Sequence, residues 1–315
     1  MVTDGAQFTV ADHRATAENA RLHSERIGRI STFTLRPGHD GANIRTWIGF
    51  KHYMFLAESA VIEWFRKRRL GPGTLFHTYG VGFNIVESSL QLPSTLDVDD
   101  DVIAVVGPLT NSLFDVRLYV QRGETRVTVA RGKLTLALVR ERDSSVPLPE
   151  ELINLEVRAI GNGALAPMPN GHRPFTRSWR VPYYTCQLSD RMQHSGYVRA
   201  LEETVDDFLT HRGIAVGRLL ADRHWIPVVS RARVEMLADA HLDEPMQAEF
   251  TVTDILRNTM FEGRMDCYVE RDGGRVHTAT GQILHGYAVA DGPDAGSVAV
   301  LDPEIVAALT GAGTA

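Results

Sequence analysis

The sequence predicts an α+β protein built from two copies of one unit, each a single long helix laid against a curled antiparallel sheet. Three observations predict it. The stretch Asn111, Phe114, Arg117 (NSLFDVR) returns as Asn258, Phe261, Arg264 (NTMFEGR), 147 positions later in each case. On either side of that match, YMFLAESAVIEWF from Tyr53 answers to YVRALEETVDDFL from Tyr197 at an offset of 144, and ARGKL from Ala130 to ATGQI from Ala279 at 149. Each copy also carries one apolar stripe at helical spacing, followed by runs of strand-forming residues. Matching order with a small drift in offset is what duplication and loop insertion leave behind. A period this long settles the architecture before any local motif does. Two copies suggest two modules paired about a pseudo-twofold axis, a homodimer fused into one chain.

The elements follow in order. Residues 1–29 are polar and read as an N-terminal arm. Repeat one spans 30–140. It opens on the strand-like ISTFTL, then a Gly-rich loop (PGHDGAN), then a helix from Tyr53 to Arg69 that Gly71-Pro72-Gly73 terminates. Strand-like runs GVGFNIVESSLQL, DVIAVVGPLT, LFDVRLYVQR and TRVTVARGKLTLALV complete it, with Gly, Asp and Pro between them. Residues 141–176 form a connector that is long for a compact domain. Repeat two, 177–290, has the same order, and the tail 291–315 holds a short helical pattern at PEIVAAL.

The helices reveal their buried faces. At ~100° per residue, Met54, Ala57, Val61, Trp64 and Phe65 share one stripe, and Val198, Leu201, Val205, Phe208 and Leu209 share its counterpart. Glu63 and Glu203 lie on the far side. Glu58 and Glu202, equivalent at the offset of 144, sit at the stripe's margin, where partial desolvation raises a carboxyl pKa.

Composition excludes several classes. The chain has 315 residues, 43% hydrophobic and 23% charged, enough for two cores. Only two cysteines occur, Cys186 and Cys267, both in strand-like runs, so neither a disulfide framework nor a thiolate zinc site is expected. No apolar run reaches the ~20 residues of a membrane span. The N-terminus lacks the pattern of a secretory signal, so the expected location is cytoplasmic. A net charge of −6 argues against general nucleic-acid binding. HExxH, GxSxG, a P-loop and a convincing GxGxxG are missing, and the histidines show no metal-ligand spacing.

The stretch SDRMQHSGYVRALEE, Ser189 to Glu203, carries a family resemblance. It resembles hotdog-fold thioesterases of the 4-hydroxybenzoyl-CoA thioesterase type and the double-hotdog acyl-carrier-protein thioesterases of plants. That family shows Asp-x-x-x-His before the helix, then an aromatic residue and a Glu within it, here Asp190, His194, Tyr197 and Glu202. Ala279-x-Gly-x-Ile283 is placed like the family's final strand. The chain departs by having Gln193 before the motif His, as in the plant enzymes, and Met192, Ser195 and Gly196 where those enzymes carry Asn. Repeat one keeps His52, Tyr53 and Glu58 but has Ile48 four residues before His52, so this second pseudo-site is expected to have lost or changed its chemistry.

The resemblance implies a tandem (double) hotdog and a thioester hydrolase with no cofactor beyond the pantetheine of its substrate, an acyl-CoA or an acyl carrier protein. It leaves room for a homodimer of the fused chain. Asp190 would be base or nucleophile. His194 would be the positioning group and Glu202 an alternate base. Backbone N–H groups of Ser195, Gly196 and Tyr197 at the helix start would hold the oxyanion. Ordinary roles are open to each: Asp190 as a cap, His194 as a hydrogen-bonded core residue, Glu58 and Glu202 in ion pairs, Tyr53 and Tyr197 as core aromatics. The basic run Arg66 to Arg69 reads as a solvated helix end or a dock for CoA phosphates or an acidic carrier. A dehydratase, an acyltransferase/decarboxylase and a non-catalytic acyl-binding protein remain alternatives.

Overall fold

The structure, a computed structural model, describes residues 29–161, 174–271 and 273–311. The expected arm, apart from Arg29, and the middle of the expected connector lie outside them. Strand β1 (Ser31–Leu35) leads into helix α1 (Phe50–Arg66) and a short helix α2 (Pro72–Tyr79). Strands β2 (Val81–Gln91), β3 (Val102–Val106), β4 (Leu113–Arg122) and β5 (Thr125–Arg140) follow, with a two-residue strand β6 (Glu156–Val157). The order then recurs: β7 (Phe175–Arg180), α3 (His194–His211), α4 (Val216–Arg223), β8 (Trp225–Met236), β9 (Pro245–Leu256), β10 (Met260–Arg271) and β11 (Gly274–Val289). Helix α5 (Pro303–Thr310) ends the described chain, its start capped by the Asp302 carboxylate.

One antiparallel sheet, with β6 alone added in parallel against β5, runs in the order β1-β3-β4-β5-β2-β8-β11-β10-β9-β7. Read from either end, each strand meets its repeat counterpart at the same rank. Backbone bonds recur with the same offset of 144: Gly49 N to Gly41 O with Gln193 N to Thr185 O, and Leu70 N to Phe65 O with Ile214 N to Leu209 O. Two residues face their own counterparts. Ser89 pairs with Arg233 where β2 meets β8, and the Arg199 guanidinium lies 4.9 Å over the Phe55 ring where α1 and α3 approach.

The apolar stripes account for the packing. All ten residues expected on them are buried. Trp64 meets Phe65 and Phe114 edge-on at 5.0 and 4.9 Å, and Phe208 meets Phe250 at 5.0 Å. The duplicated Asn has a conformational cause: Asn111 and Asn258 stand at φ 49° and 53° in the turns before β4 and β10, a region few side chains tolerate. Phe114 and Phe261 that follow are both fully buried.

Two boundaries differ from expectation. Helix α1 begins at Phe50, three residues before Tyr53, directly after Gly49. Its end at Arg66 precedes Gly71-Pro72-Gly73. Pro72 there opens α2, since a helix's first residue needs no N–H partner.

Gly132 and Gly281, paired by the repeat, differ in what surrounds them. A Cβ on Gly132 would fall directly onto the Ser89 carbonyl oxygen, which the β2–β5 ladder holds in place. At Gly281 it would meet only the ends of Met265 and Leu201 at 3.3 and 3.4 Å. Urea unfolding should therefore show a loss of about 3 kcal/mol or more for Gly132→Ala and under about 1.5 kcal/mol for Gly281→Ala. Equal losses would contradict this placement.

Candidate functional site

Each long helix starts beside the middle of the other, which creates two seams. At the first, the start of α1 faces Glu202 on α3. At the second, the start of α3 is the counterpart. The 144 offset sets their contents side by side. Trp47, Gly49, Phe50 and Lys51 of the first correspond to Arg191, Gln193, His194 and Ser195 of the second, and Glu202 corresponds to Glu58.

The first seam is open. A cleft of about 610 Å³ is lined by Ile48, Gly49 and Phe50 at the start of α1, by Glu202, Val205 and Leu209 on α3, by Ile226 to Ser230 of β8, and by Met260, Ile283 and His285. Gly49 contributes no side chain there, and no side chain caps α1. His52 N donates to the Gly49 carbonyl oxygen, as Gly196 N does to that of Gln193, so the N–H groups of Phe50 and Lys51 are the ones that need no intrahelical partner; with Phe50 on the cleft wall, they bring the positive end of the helix dipole to it. Glu202 is ion-paired with Lys51, which keeps a charge balance in a half-buried place.

At the second seam the corresponding side chains at the start of α3 are paired and packed. Arg191, 15% exposed, is held between Glu141 at 3.2 Å and Asp239 at 2.5 Å. Gln193 and His194 are buried, and His194 Nε2 is hydrogen-bonded to Ser88 Oγ at 2.8 Å. Burial pushes the His194 imidazole down to about 4. Glu58 has Ser195, not a lysine, at the position corresponding to Lys51, and burial pushes its carboxyl up to about 7.

The expected catalytic set is not brought together. Glu202 lies eight residues beyond His194 on one helix, a rise of ~12 Å, and faces the opposite seam. The Asp190 side chain is 65% exposed, pairs with His241 Nδ1 at 3.3 Å, and is not among the residues lining the cleft. Its counterpart Thr46 makes the matching contact, donating to Asp97 at 2.5 Å, so both tie the loop before a long helix to a turn of the sheet. Ser195, Gly196 and Tyr197 do open α3, which no side chain caps. Gly196 N already donates to the Gln193 carbonyl oxygen, and Tyr197 is wholly buried. His52 is not the counterpart of His194; Phe50 is, and His52 corresponds to Gly196. His52 is buried with its ring edge on Phe55 at 5.4 Å, and burial lowers its pKa.

The basic run after α1 does not form one surface. Arg68 is 3% exposed, lies 3.6 Å over the Trp64 ring and donates to the Trp64 carbonyl, while Arg66 pairs with Glu63. Arg264 makes a two-toothed pair with the buried Asp266; Arg117, which the sequence match set beside Arg264, is exposed and lies opposite Arg131, two residues out of step with Arg264 opposite Gln282. Among the described residues no three His, Cys, Asp or Glu side chains gather as a metal site would need, and no helix is long and apolar enough to cross a membrane. Sequence reasoning missed Lys51 and His285. The Lys51/Ser195 and Leu136/His285 differences between aligned repeats were signals that could have found them.

No protein-family model matches the sequence, and no curated protein matches it. Solved structures do match. A 12:0-ACP thioesterase from Umbellularia californica aligns over 82% of this chain and 94% of its own, with 11% identity and a TM-score of 0.57. A Lactobacillus plantarum protein assigned as an oleoyl thioesterase aligns over 82% and 95%, with 12% identity and a TM-score of 0.55. An acyl-ACP thioesterase from Bacteroides thetaiotaomicron aligns over 84% and 99%, with 10% identity and a TM-score of 0.51. At such identities the likeness is one of fold. The chain has the fold of these acyl thioesterases, the hotdog fold, in which a long helix is wrapped by a curved antiparallel sheet.

Proposed function

We propose that the chain is a tandem (double) hotdog whose halves, 30–140 and 177–290, are related by a pseudo-twofold axis, and that it hydrolyses an acyl-CoA or acyl-carrier-protein thioester at the first seam. The axis would pass through the two self-facing pairs, Ser89 with Arg233 and Phe55 with Arg199. One observation carries the functional reading: an apolar cleft of about 610 Å³ has both a carboxylate and an uncapped helix start on its wall. Val205, Leu209, Ile226 and Ile283 suit an acyl chain, and the volume suits a small ligand.

In this reading the thioester carbonyl oxygen points at the N–H groups of Phe50 and Lys51. Glu202 takes a proton from water, and the water oxygen bonds to the carbonyl carbon. The oxyanion that forms is held by the helix start, with the Lys51 ammonium close by. Collapse breaks the C–S bond, and the thiolate leaves with the proton that Glu202 holds. An acid and a free thiol result. Asp190 takes no part.

A second reading places the chemistry at the second seam, because a Glu58 carboxyl near 7 is poised for proton transfer at neutral pH. The open cleft favours the first.

Thiol release from a panel of acyl-CoA and acyl-carrier thioesters, with products weighed by mass spectrometry, tests the function. Val229→Trp, at a half-buried position on the cleft wall, should lower kcat/KM at least tenfold, with melting curves confirming the fold. Loss of water or carbon dioxide from the acyl group would instead identify a dehydratase or decarboxylase. A ligand-raised melting temperature without thiol release would leave only acyl binding.

A further inference from the structure

The cleft wall carries a polar feature that hydrolysis does not use. His285 lines the cleft, is 3% exposed, and has its Nδ1 buried without a hydrogen-bond partner among the described residues. Two positions along the same face of β11, the Tyr287 hydroxyl is also buried without a partner among the described residues, and the two rings meet edge-on at 5.3 Å. A buried polar atom left unpaired is costly, so such atoms ordinarily find partners.

The first half shows that the sheet does not need them. His285 pairs with Val229, and Leu136 pairs with Ile85, the residue that corresponds to Val229. Tyr287 pairs with Pro227, and Leu138 pairs with Phe83, the residue that corresponds to Pro227. At matched places in matched strands, one half has two leucines and the other an imidazole and a phenol. Leu136 and Leu138 are both buried. The polar pair stands in the half whose inner face opens to the cleft.

We infer that the acyl group bound in the cleft carries an oxygen of its own, a hydroxyl or keto group beyond the reacting carbonyl, which His285 recognises with Tyr287 behind it. This rests on the acyl-thioester reading of the cleft. Phe261 covers one face of the His285 ring at 4.7 Å, which holds the imidazole in place. Burial keeps it neutral, with its pKa down at about 3, so one ring nitrogen donates and the other accepts. Either a hydroxyl or a carbonyl oxygen then finds a complement. A saturated chain of the same length would leave the imidazole unpaired, and sites built to hydrogen-bond an oxygen reject analogues that lack it.

The test compares acyl thioesters of equal length, saturated or bearing a hydroxyl or keto group at successive carbons, on wild type, His285→Leu and Tyr287→Phe. Leucine is the residue the other half already uses, and melting curves confirm folding. Wild type should favour at least one oxygenated chain by tenfold or more in kcat/KM. His285→Leu should bring that ratio to one or invert it. Hydrolysis with equal rates for saturated and oxygenated chains throughout would overturn the inference and leave the hydrolase intact. If no thioester is cleaved, the hydrolase reading fails. The inference is then read from titration of the free acids, where tighter binding of an oxygenated acid that His285→Leu abolishes supports it and equal binding overturns it.

Discussion

Glu202→Gln should lower thiol release by two orders of magnitude or more, while Glu58→Gln changes it less than threefold. Glutamine keeps the shape of the side chain but cannot take a proton, and a positioned base contributes roughly 10²- to 10⁴-fold. The structural cost is small. The Lys51–Glu202 pair is partly exposed, and breaking such a pair costs ~1 kcal/mol or less. A drop in kcat at a nearly unchanged melting temperature therefore reads as lost chemistry. Glu58 is the control because the repeat makes it equivalent in place but not in partner. If Glu58→Gln silences the protein and Glu202→Gln does not, the reaction belongs to the second seam.

The second large effect is on stability in mild acid. Burial lowers His194 to about 4 and His285 to about 3. Unfolded, each titrates near 6.5, so below that value the unfolded chain binds protons that the folded one refuses. Stability contributed by these groups is full above pH ~6.5 and falls as pH drops toward the folded values. Between pH 7 and 5 the two imidazoles should cost about 4 kcal/mol, a sizeable share of a typical domain's stability.

Glu58 acts in the opposite sense. Its folded value of about 7 lies above the unfolded one, so the folded state binds the extra proton between pH ~4.5 and 7, and stability rises as pH falls through that window. That gain, about 2 kcal/mol by pH 5, offsets half of the histidine loss. Urea unfolding at pH 7, 6 and 5 should show a steeper acid loss in Glu58→Gln than in wild type, and a shallower one in His285→Leu. A slope unchanged by Glu58→Gln would mean that this carboxyl is ionised in the folded state at pH 5.

The fold was legible because its signals are periodic. Two stripes at helical spacing survive any amount of surface change, and Trp64 and Phe208 are buried where that pattern put them. The Asn-x-x-Phe-x-x-Arg match is looser: Phe114 and Phe261 are both buried, but they lie opposite Leu134 and His285, which differ by two residues once β5 and β11 are aligned. The margin position of Glu58 and Glu202 was legible for the same reason. Which seam each faces was not, because that depends on how two helices cross, and spacing along one helix carries no information about its neighbour. Hence His194 and Glu202 were grouped though they serve opposite seams. The place of Asp190 was not legible either, because an Asp before a helix looks the same whether it faces a substrate or ties a loop to His241, the contact it makes here. His285 was invisible for a different cause: its meaning lies in being unpaired, and only packing shows what a side chain lacks. Aligning the halves at the right offset, with Phe50 opposite His194, would have exposed the asymmetry earlier.

The most direct measurement is a crystal structure with a non-hydrolysable acyl-pantetheine thioether. The acyl chain should lie between α3 and β11, reaching His285, with the sulfur-bearing end at the start of α1 beside Glu202 and Lys51. Density at the start of α3, against Glu58 and His194, with the 610 Å³ cleft empty, would contradict it.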